Sequence, residues 1–408
     1  MSKVIVIGRN YTSRLGMIRA VGQAGCDVVV IQTNGTVKDI DSYSKYVKNH
    51  FFAREPNRKL LIDTILSLAE ADEKVIIIPV DDYAASTIDE NIDKLKERFL
   101  FPNAEMQQGA VNRLMDKNLQ KELAAKAGFN VAQAWVVNVK DGHFEIPSDI
   151  KYPCFPKPQV SFTGNKTCMK RCESAQELNR ILKEFVTKFP NCSILVEEFK
   201  VIEHEYGVLG FCDKDTIVAP GFVDKLMIGD GHHKGVTKLG EVTPLNKRKE
   251  LYQTVQIFLQ SIHLTGLCDI DLYENDGKIY FNELNLRFGA FGYSILCAGA
   301  NLPELFIKTM KGETISPGTI KVNEKVVCLS EKVNFEDYVE GYYDREEYNR
   351  IYAMADSYFL ADEQDPMPWL LFKKTMPSLI FKRNTKMFIK ALIGKKFVHK
   401  IKKFLGRK

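Results

Sequence analysis

Apolar strands alternate with helically spaced stretches over the first hundred residues, and a second run of strands and helices follows, so the sequence predicts an α/β protein. Val4-Ile5-Val6-Ile7-Gly8 and Val75-Ile76-Ile77-Ile78-Pro79-Val80 are apolar without a break, as strands covered on both faces are. Arg14 to Ala24 and Leu60 to Ala71 have helical spacing, with a strand expected from Asp27 to Thr33 between them. Together these predict a Rossmann-like open parallel sheet whose ligands bind beyond the carboxyl ends of its strands, at Gly8-Arg9-Asn10 and Asp81-Asp82. The turn Gly8-Arg9-Asn10-Tyr11 lacks the second and third glycines of a dinucleotide fingerprint. Asp81 and Asp82 read equally well as contacts for an amine and as caps opening the next helix.

Pro102-Asn103 marks a boundary. Beyond it, Gln107 to Gly128 reads as one polar helix containing Asp116-Lys117-Asn118 and closed by Gly128. A second α/β unit is expected from Val131 to about Lys311, with strands at Cys154-Phe155-Pro156-Lys157-Pro158, Ser193 to Phe199 and Tyr206 to Phe211. The expected domains are therefore 1–105, 106–311, an aromatic and acidic extension at 312–372, and a basic amphipathic tail at 373–408.

The 408 residues, 45% apolar and 27% charged, are those of a soluble globular chain with room for two or three cores. No stretch approaches the ~20 apolar residues of a membrane span, and Met1-Ser2-Lys3 runs into a strand without a signal-peptide pattern, so the expected compartment is the cytoplasm. The nine cysteines are scattered, and Cys168 and Cys172 lack a partner pair, which favours reduced structural thiols over zinc. His232-His233 is the only histidine cluster and sits in a glycine-flanked loop with no companion acid at metal-ligand spacing.

The chemistry concentrates in Asp269-Ile270-Asp271-Leu272-Tyr273 and Phe281-Asn282-Glu283-Leu284-Asn285-Leu286-Arg287. Asn275-Asp276-Gly277 reads as a hairpin turn that brings Asp271 opposite Glu283 and Asn285, three oxygen ligands on one sheet face, with Arg287 projecting from the same face. Such a set suits Mg²⁺, which takes one or two carboxylates and completes its shell with water and nucleotide phosphate. The plainer reading is a half-buried hairpin with polar residues toward solvent.

Phosphates need positive charge and backbone amides. Lys157 on an apolar strand leads into Ser161-Phe162-Thr163-Gly164-Asn165-Lys166-Thr167, a small-residue turn able to fold over a triphosphate. Lys117 and Lys225 are further cationic candidates, each readable alone as a solvated surface lysine. Leu195-Val196-Glu197-Glu198-Phe199 is an apolar strand ending in acids, with Glu205 one short loop later. Its end offers backbone groups to an adenine edge, and the nearby carboxylate suits ribose hydroxyls.

Taken jointly, these motifs resemble the ATP-grasp superfamily and, within it, the carboxylate-amine ligases, which include D-alanine-D-alanine ligase, the carbamoyl-phosphate synthetase large subunit and D-aspartate ligase. The resemblance covers about Pro102 to Lys311 and implies a Rossmann-like domain followed by an ATP-grasp domain of two α+β subdomains. It implies ATP and Mg²⁺, or Mn²⁺, as cofactors, with Lys117 and Lys157 as phosphate lysines and Gly164, Lys166 and Thr167 in the loop that closes on ATP. Glu197, Glu198 and Phe199 correspond to the adenine hinge and Glu205 to the ribose acid. Asp271, Glu283 and Asn285 correspond to the metal triad, with Arg287 and Lys225 in the catalytic set. The implied function is activation of a carboxylate, such as that of D-aspartate, as an acyl phosphate and its transfer to an amine. A kinase on the same scaffold and a non-catalytic ATP-binding module are the alternatives.

Lys373 to Lys408 holds thirteen Lys or Arg and no acid, so of the formal +5 the remainder carries 5 − 13 = −8. Apolar residues at 388, 391, 392, 398, 401 and 405 have helical spacing. A basic amphipathic helix on an anionic membrane surface is one reading and a disordered solubilising tail another. The acidic body argues against nucleic acid as a partner.

Overall fold

The computed structural model describes residues 2–160, 168–214 and 216–404, with side chains to residue 385. The first unit is a five-stranded parallel sheet in the order Val47–Phe52, Asp27–Gln32, Lys3–Gly8, Val75–Pro79, Phe99–Leu100. Its central strands carry unbroken apolar runs because both faces are covered. Val4, Val6, Val28, Val30, Ile76 and Ile78 pack into one core, and Ile5, Ile7, Val29, Ile31 and Ile77 into another. The strand Val47–Phe52 lacks such a run because it lies at the edge, half-exposed, and the sequence reading passed over it. The first helix starts at Tyr11, three residues before the expected Arg14, where Asn10 Oδ1 accepts from Thr12 N at 3.0 Å. A Cβ on Gly8 would meet Val80 Cγ2 at 2.6 Å, so close packing accounts for this glycine.

Gln107 to Gly128 is not one helix. It forms Ala110–Leu114 and Lys117–Ala127, because Asp116 caps the second by accepting from Asn118 N at 2.8 Å and Leu119 N at 3.1 Å. Gly128, at φ 103°, ends the second helix as expected.

Two sheets follow. The smaller is antiparallel, with Cys192–Glu198 between Ala134–Val139 and Cys154–Pro158, and the helix Ala175–Val186 contributes to its core. Among the described residues the larger has nine strands, eight on a path that runs Ser357–Tyr358, Val326–Leu329, Thr237–Pro244, Thr216–Ile228, His204–Asp213, Leu264–Asn275, Lys278–Asn285, Asn130–Val131, and Asn103–Ala104 paired with Leu264–Asn275 off it. The strand Thr216–Ile228 escaped the sequence reading because Pro220-Gly221 in its middle looks like a turn. Gly221 serves packing instead, since a Cβ there would meet Ile295 Cδ1 at 2.3 Å.

The units share a core. The cluster around Val4, Val6 and Met17 continues into Leu209, Phe211, Phe288, Ile295 and Phe306, so the first sheet is seated against the large one. The basic run from Lys373 lies within the helix Met367–Phe404, whose Trp369, Phe372, Met376 and Ile380 pack with Leu15, Phe335 and Tyr338. Among the described residues no single helix is long and apolar enough to cross a membrane.

Candidate active site

The hairpin forms where the sequence places it. Strands Leu264–Asn275 and Lys278–Asn285 are joined through Asp276 and Gly277, both left-handed with φ of 49° and 67°, the backbone that an Asp-Gly pair favours in a two-residue turn. Asp271 stands opposite Glu283, and a register irregularity follows between Asp271 and Leu272. Asn285 pairs with Asp269 rather than with Asp271, and reaches Asp271 diagonally, Nδ2 to Oδ2 at 3.1 Å. The three predicted ligands therefore converge.

Cations surround them. Lys225 Nζ, from the strand Thr216–Ile228, lies 2.5 Å from Asp271 Oδ1 and 3.8 Å from Glu205 Oε2. Burial disfavours its charge, but Asp271, Asp269 and Glu205 outweigh burial and raise its pKa, so it stays an ammonium. Lys117 Nζ is 3.6 Å from Glu283 Oε2, and burial holds its pKa below the usual lysine range against that acid's pull. Arg287 donates from Nη2 to Asn285 Oδ1 at 3.2 Å and from Nε to Asp82 Oδ1 at 2.8 Å. Asp82 thus contacts a cation, while Asp81 is a cap, accepting from Ala84 N at 2.9 Å and Arg9 N at 2.6 Å.

Asp269 is a site residue the sequence reading left unassigned. Burial, followed by the charge of Asp271, pushes its pKa up to about 7. A Cβ on Gly289 would fall 2.2 Å from Asp269 Oδ2, so this glycine makes room for the carboxylate. The signal was present: residues 269 and 271 share a face by the two-residue period.

The small sheet supplies a second knot of charge. Lys157 and Lys121 each place Nζ 2.9 Å from Glu197 Oε1. Lys121, missed in the sequence, follows Lys117 by one helical turn and is buried on the same face. Burial would raise the pKa of Glu197, but the two ammoniums overcome it and hold it low. Gln120 fixes their helix against the hairpin, donating to Leu284 O at 2.9 Å and accepting from Leu284 N at 3.0 Å. The helix start is tied to the other sheet, Lys117 N to Gln159 O at 2.9 Å and Gln159 Nε2 to Asp116 Oδ2 at 2.6 Å.

At the expected hinge the Glu197 side chain faces two lysines, because the strand's alternation turns it inward. The amides of Glu198 and Phe199 donate to Gln133 O and Pro153 O, both at 2.9 Å, which commits them to the small unit. Glu198 pairs with Lys200 at 2.9 Å, and Phe199 lies under Arg171 at 4.6 Å. Gly164, Lys166 and Thr167 fall outside the described residues.

The histidine pair also departs from expectation. Its companion acids come from the helix Glu331–Glu340, brought in by folding: His233 Nε2 lies 2.6 Å from Glu336 Oε2, and His232 Nδ1 2.7 Å from Glu340 Oε1. Spacing along one segment could not show them.

Two carboxylates and an amide, all hard donors on one sheet face, fit a magnesium ion. The family model described as D-ala D-ala ligase C-terminus matches residues 123–301, which contain Lys157, Glu197, Asp271, Glu283 and Asn285. The D-aspartate ligase of Enterococcus faecium is 24% identical over 279 residues, 64% of this chain and 65% of that one. The N5-carboxyaminoimidazole synthetase of Staphylococcus aureus complexed with ADP superposes with a TM-score of 0.61 at 16% identity, covering 85% of this chain and 86% of that one. Residues 123–301 are thus similar to the ATP-grasp carboxylate-amine ligases, and the fold around them is that of ATP-grasp neighbours. A third ATP-grasp neighbour, the biotin carboxylase domain of Hydrogenobacter thermophilus 2-oxoglutarate carboxylase in complex with MgADP, has a TM-score of 0.60 at 19% identity, covering 80% and 73%. The chain spans just under two thirds of the curated ligase's length.

Proposed function

We propose that this ATP-grasp protein is an ADP-forming carboxylate-amine ligase that activates an amino-acid carboxylate as an acyl phosphate and joins it to an amine. The observation carrying this reading is the convergence of Asp271, Glu283 and Asn285 with Lys225 and Arg287 on one sheet face, and the bond from Lys117 to Glu283 that links this face to the helix bearing Lys121. The first relative named above is a D-aspartate ligase, which makes an acidic D-amino acid the first acyl donor to try.

Phosphoryl transfer needs alignment and charge neutralisation more than a protein nucleophile. A magnesium ion on Asp271, Glu283 and Asn285 would neutralise β- and γ-phosphate oxygens. Lys117 and Lys157 hold positive charge for the phosphate chain. Glu205 suits a ribose hydroxyl, and the chain around Glu198 and Phe199 forms the wall for the base. Arg287, oriented by Asp82, stabilises the oxyanion formed when the amine adds to the acyl phosphate. Lys225, held as an ammonium by Asp271, supplies further positive charge beside the transferred phosphoryl group.

The basic segment of the last helix would hold the enzyme on an anionic membrane surface from the cytoplasmic side, each basic residue adding ~1 kcal/mol. That placement suits an acceptor amine on a cell-envelope precursor. Flotation with anionic vesicles tests it: full-length chain should float and chain ending at Thr385 should not, and equal behaviour removes the membrane reading. Measuring ADP and phosphate release over a panel of D- and L-amino acids and amines tests the reaction. A ligase releases both only when carboxylate and amine are present together; ADP without free phosphate would make it a kinase, and neither product would leave a binding module.

A further inference from the structure

We infer that His232, His233 and Glu336 form a second metal site, for a zinc-class divalent ion, separate from the magnesium triad. One atom from each residue lies within 4.8 Å of the others. Two ligands of one tetrahedral zinc stand roughly 3.3 Å apart, as Zn–N and Zn–O lengths of about 2.0 to 2.2 Å require. The distances to Glu336 Oε2, 2.6 Å from His233 Nε2 and 3.7 Å from His232 Nε2, bracket that value. A small rotation of side chains is enough to admit an ion.

The surroundings are those of a built site. With His232 Nε2 facing the ion, its Nδ1 is left to donate to Glu340 Oε1 at 2.7 Å, the carboxylate-histidine arrangement that fixes ring orientation behind a metal. The loop carrying the histidines is closed on itself by Gly229 N to Val236 O and His233 N to Asp230 O, both 2.8 Å. It is pinned to the acidic helix by Asp230 N to Asp337 Oδ2 at 3.0 Å, and Asp337 is itself paired with buried Lys238 at 2.8 Å. A side chain on Gly231, at φ 54°, would be strained, and its Cβ would lie 2.2 Å from Tyr342 Oη, so that ring would have to move. The two ligand-bearing elements are thus preset before any ion binds.

Two imidazoles with one carboxylate favour zinc, cobalt or nickel over magnesium. Three protein ligands leave a fourth position for water. Lys332 Nζ, 2.6 Å from Glu336 Oε2, is the competitor: it neutralises the carboxylate that the ion would use. A bound ion would clamp the loop between strands Thr216–Ile228 and Thr237–Pro244 onto the helix Glu331–Glu340, beside Tyr11 of the first unit, whose ring lies 5.9 Å from Lys332 Nζ.

The test is calorimetric titration of untagged full chain with Zn²⁺ in saturating MgADP, repeated with Co²⁺ by visible absorption. Wild type should bind one zinc and give cobalt bands of tetrahedral strength. His233→Asn and Glu336→Gln should each weaken zinc at least as much as loss of an outer-shell partner does, roughly ten- to a hundredfold. Lys332→Met should tighten it, which incidental surface binding would not do. The exposed His232→Asn covers the case in which a less exposed variant fails to fold. Absence of stoichiometric zinc in wild type, or unchanged affinity in His232→Asn and Glu336→Gln, would overturn the assignment.

Discussion

At the hairpin, Asp269, Asp271, Glu283 and Glu205 gather around Lys225, Arg287 and Lys117, whereas on the small sheet Lys121 and Lys157 share the carboxylate of Glu197. The hairpin group is acid-rich and the small-sheet group lysine-rich. Desolvation acts on both, so each group shifts its members: Asp269 rises to about 7, while Lys117 and Lys121 fall. The contrast teaches that each group leaves one sign in excess, acid at the hairpin and lysine on the small sheet, although ion pairs form within both. A divalent ion at one end and a phosphate chain along the other would use that separation.

The largest expected effect comes from emptying the acidic end. Glu283→Ala should lower ATP-dependent turnover by more than about a hundredfold, a larger loss than an outer-shell partner's, with the native fold retained by circular dichroism; normal turnover would refute the metal assignment. Next is the lysine end. Glu197→Gln strands two buried ammoniums and should cost about 3 kcal/mol in urea unfolding.

Asp269→Asn sharpens the comparison through pH. Asp269 ionises near 3.8 unfolded but only near about 7 folded, so folding takes up a proton between these values and stability falls as pH rises through that window. Urea midpoints should show Asp269→Asn gaining on wild type from pH 5 to pH 8, and a constant difference would contradict the raised pKa. The smallest effect is Lys121→Met, about 1 kcal/mol, because Lys157 still holds Glu197; a cost matching that of Glu197→Gln would mean the lysines do not share it.

What the sequence could show follows from the range of each interaction. The hairpin was legible because Asp276-Gly277 sets its own turn and residues two apart share a face, so Asp271, Glu283, Asn285 and Arg287 could be grouped before any fold was known. The parallel sheet was legible because both its faces are buried. Glu197's inward turn depends on which face of the small sheet meets the helix Lys117–Ala127, a tertiary fact, and so does the role of Lys121. The same holds for Asp82 reaching Arg287 and for Glu336 meeting His233, contacts across 205 and 103 residues.

The most direct test is Mn²⁺ binding followed by electron paramagnetic resonance with a non-hydrolysable ATP analogue, taking the nucleotide-dependent part of the signal. Wild type should bind one such ion, and Glu283→Ala and Asp271→Asn should leave it free in solution. Nucleotide-dependent Mn²⁺ binding that survives in both variants would contradict the metal site.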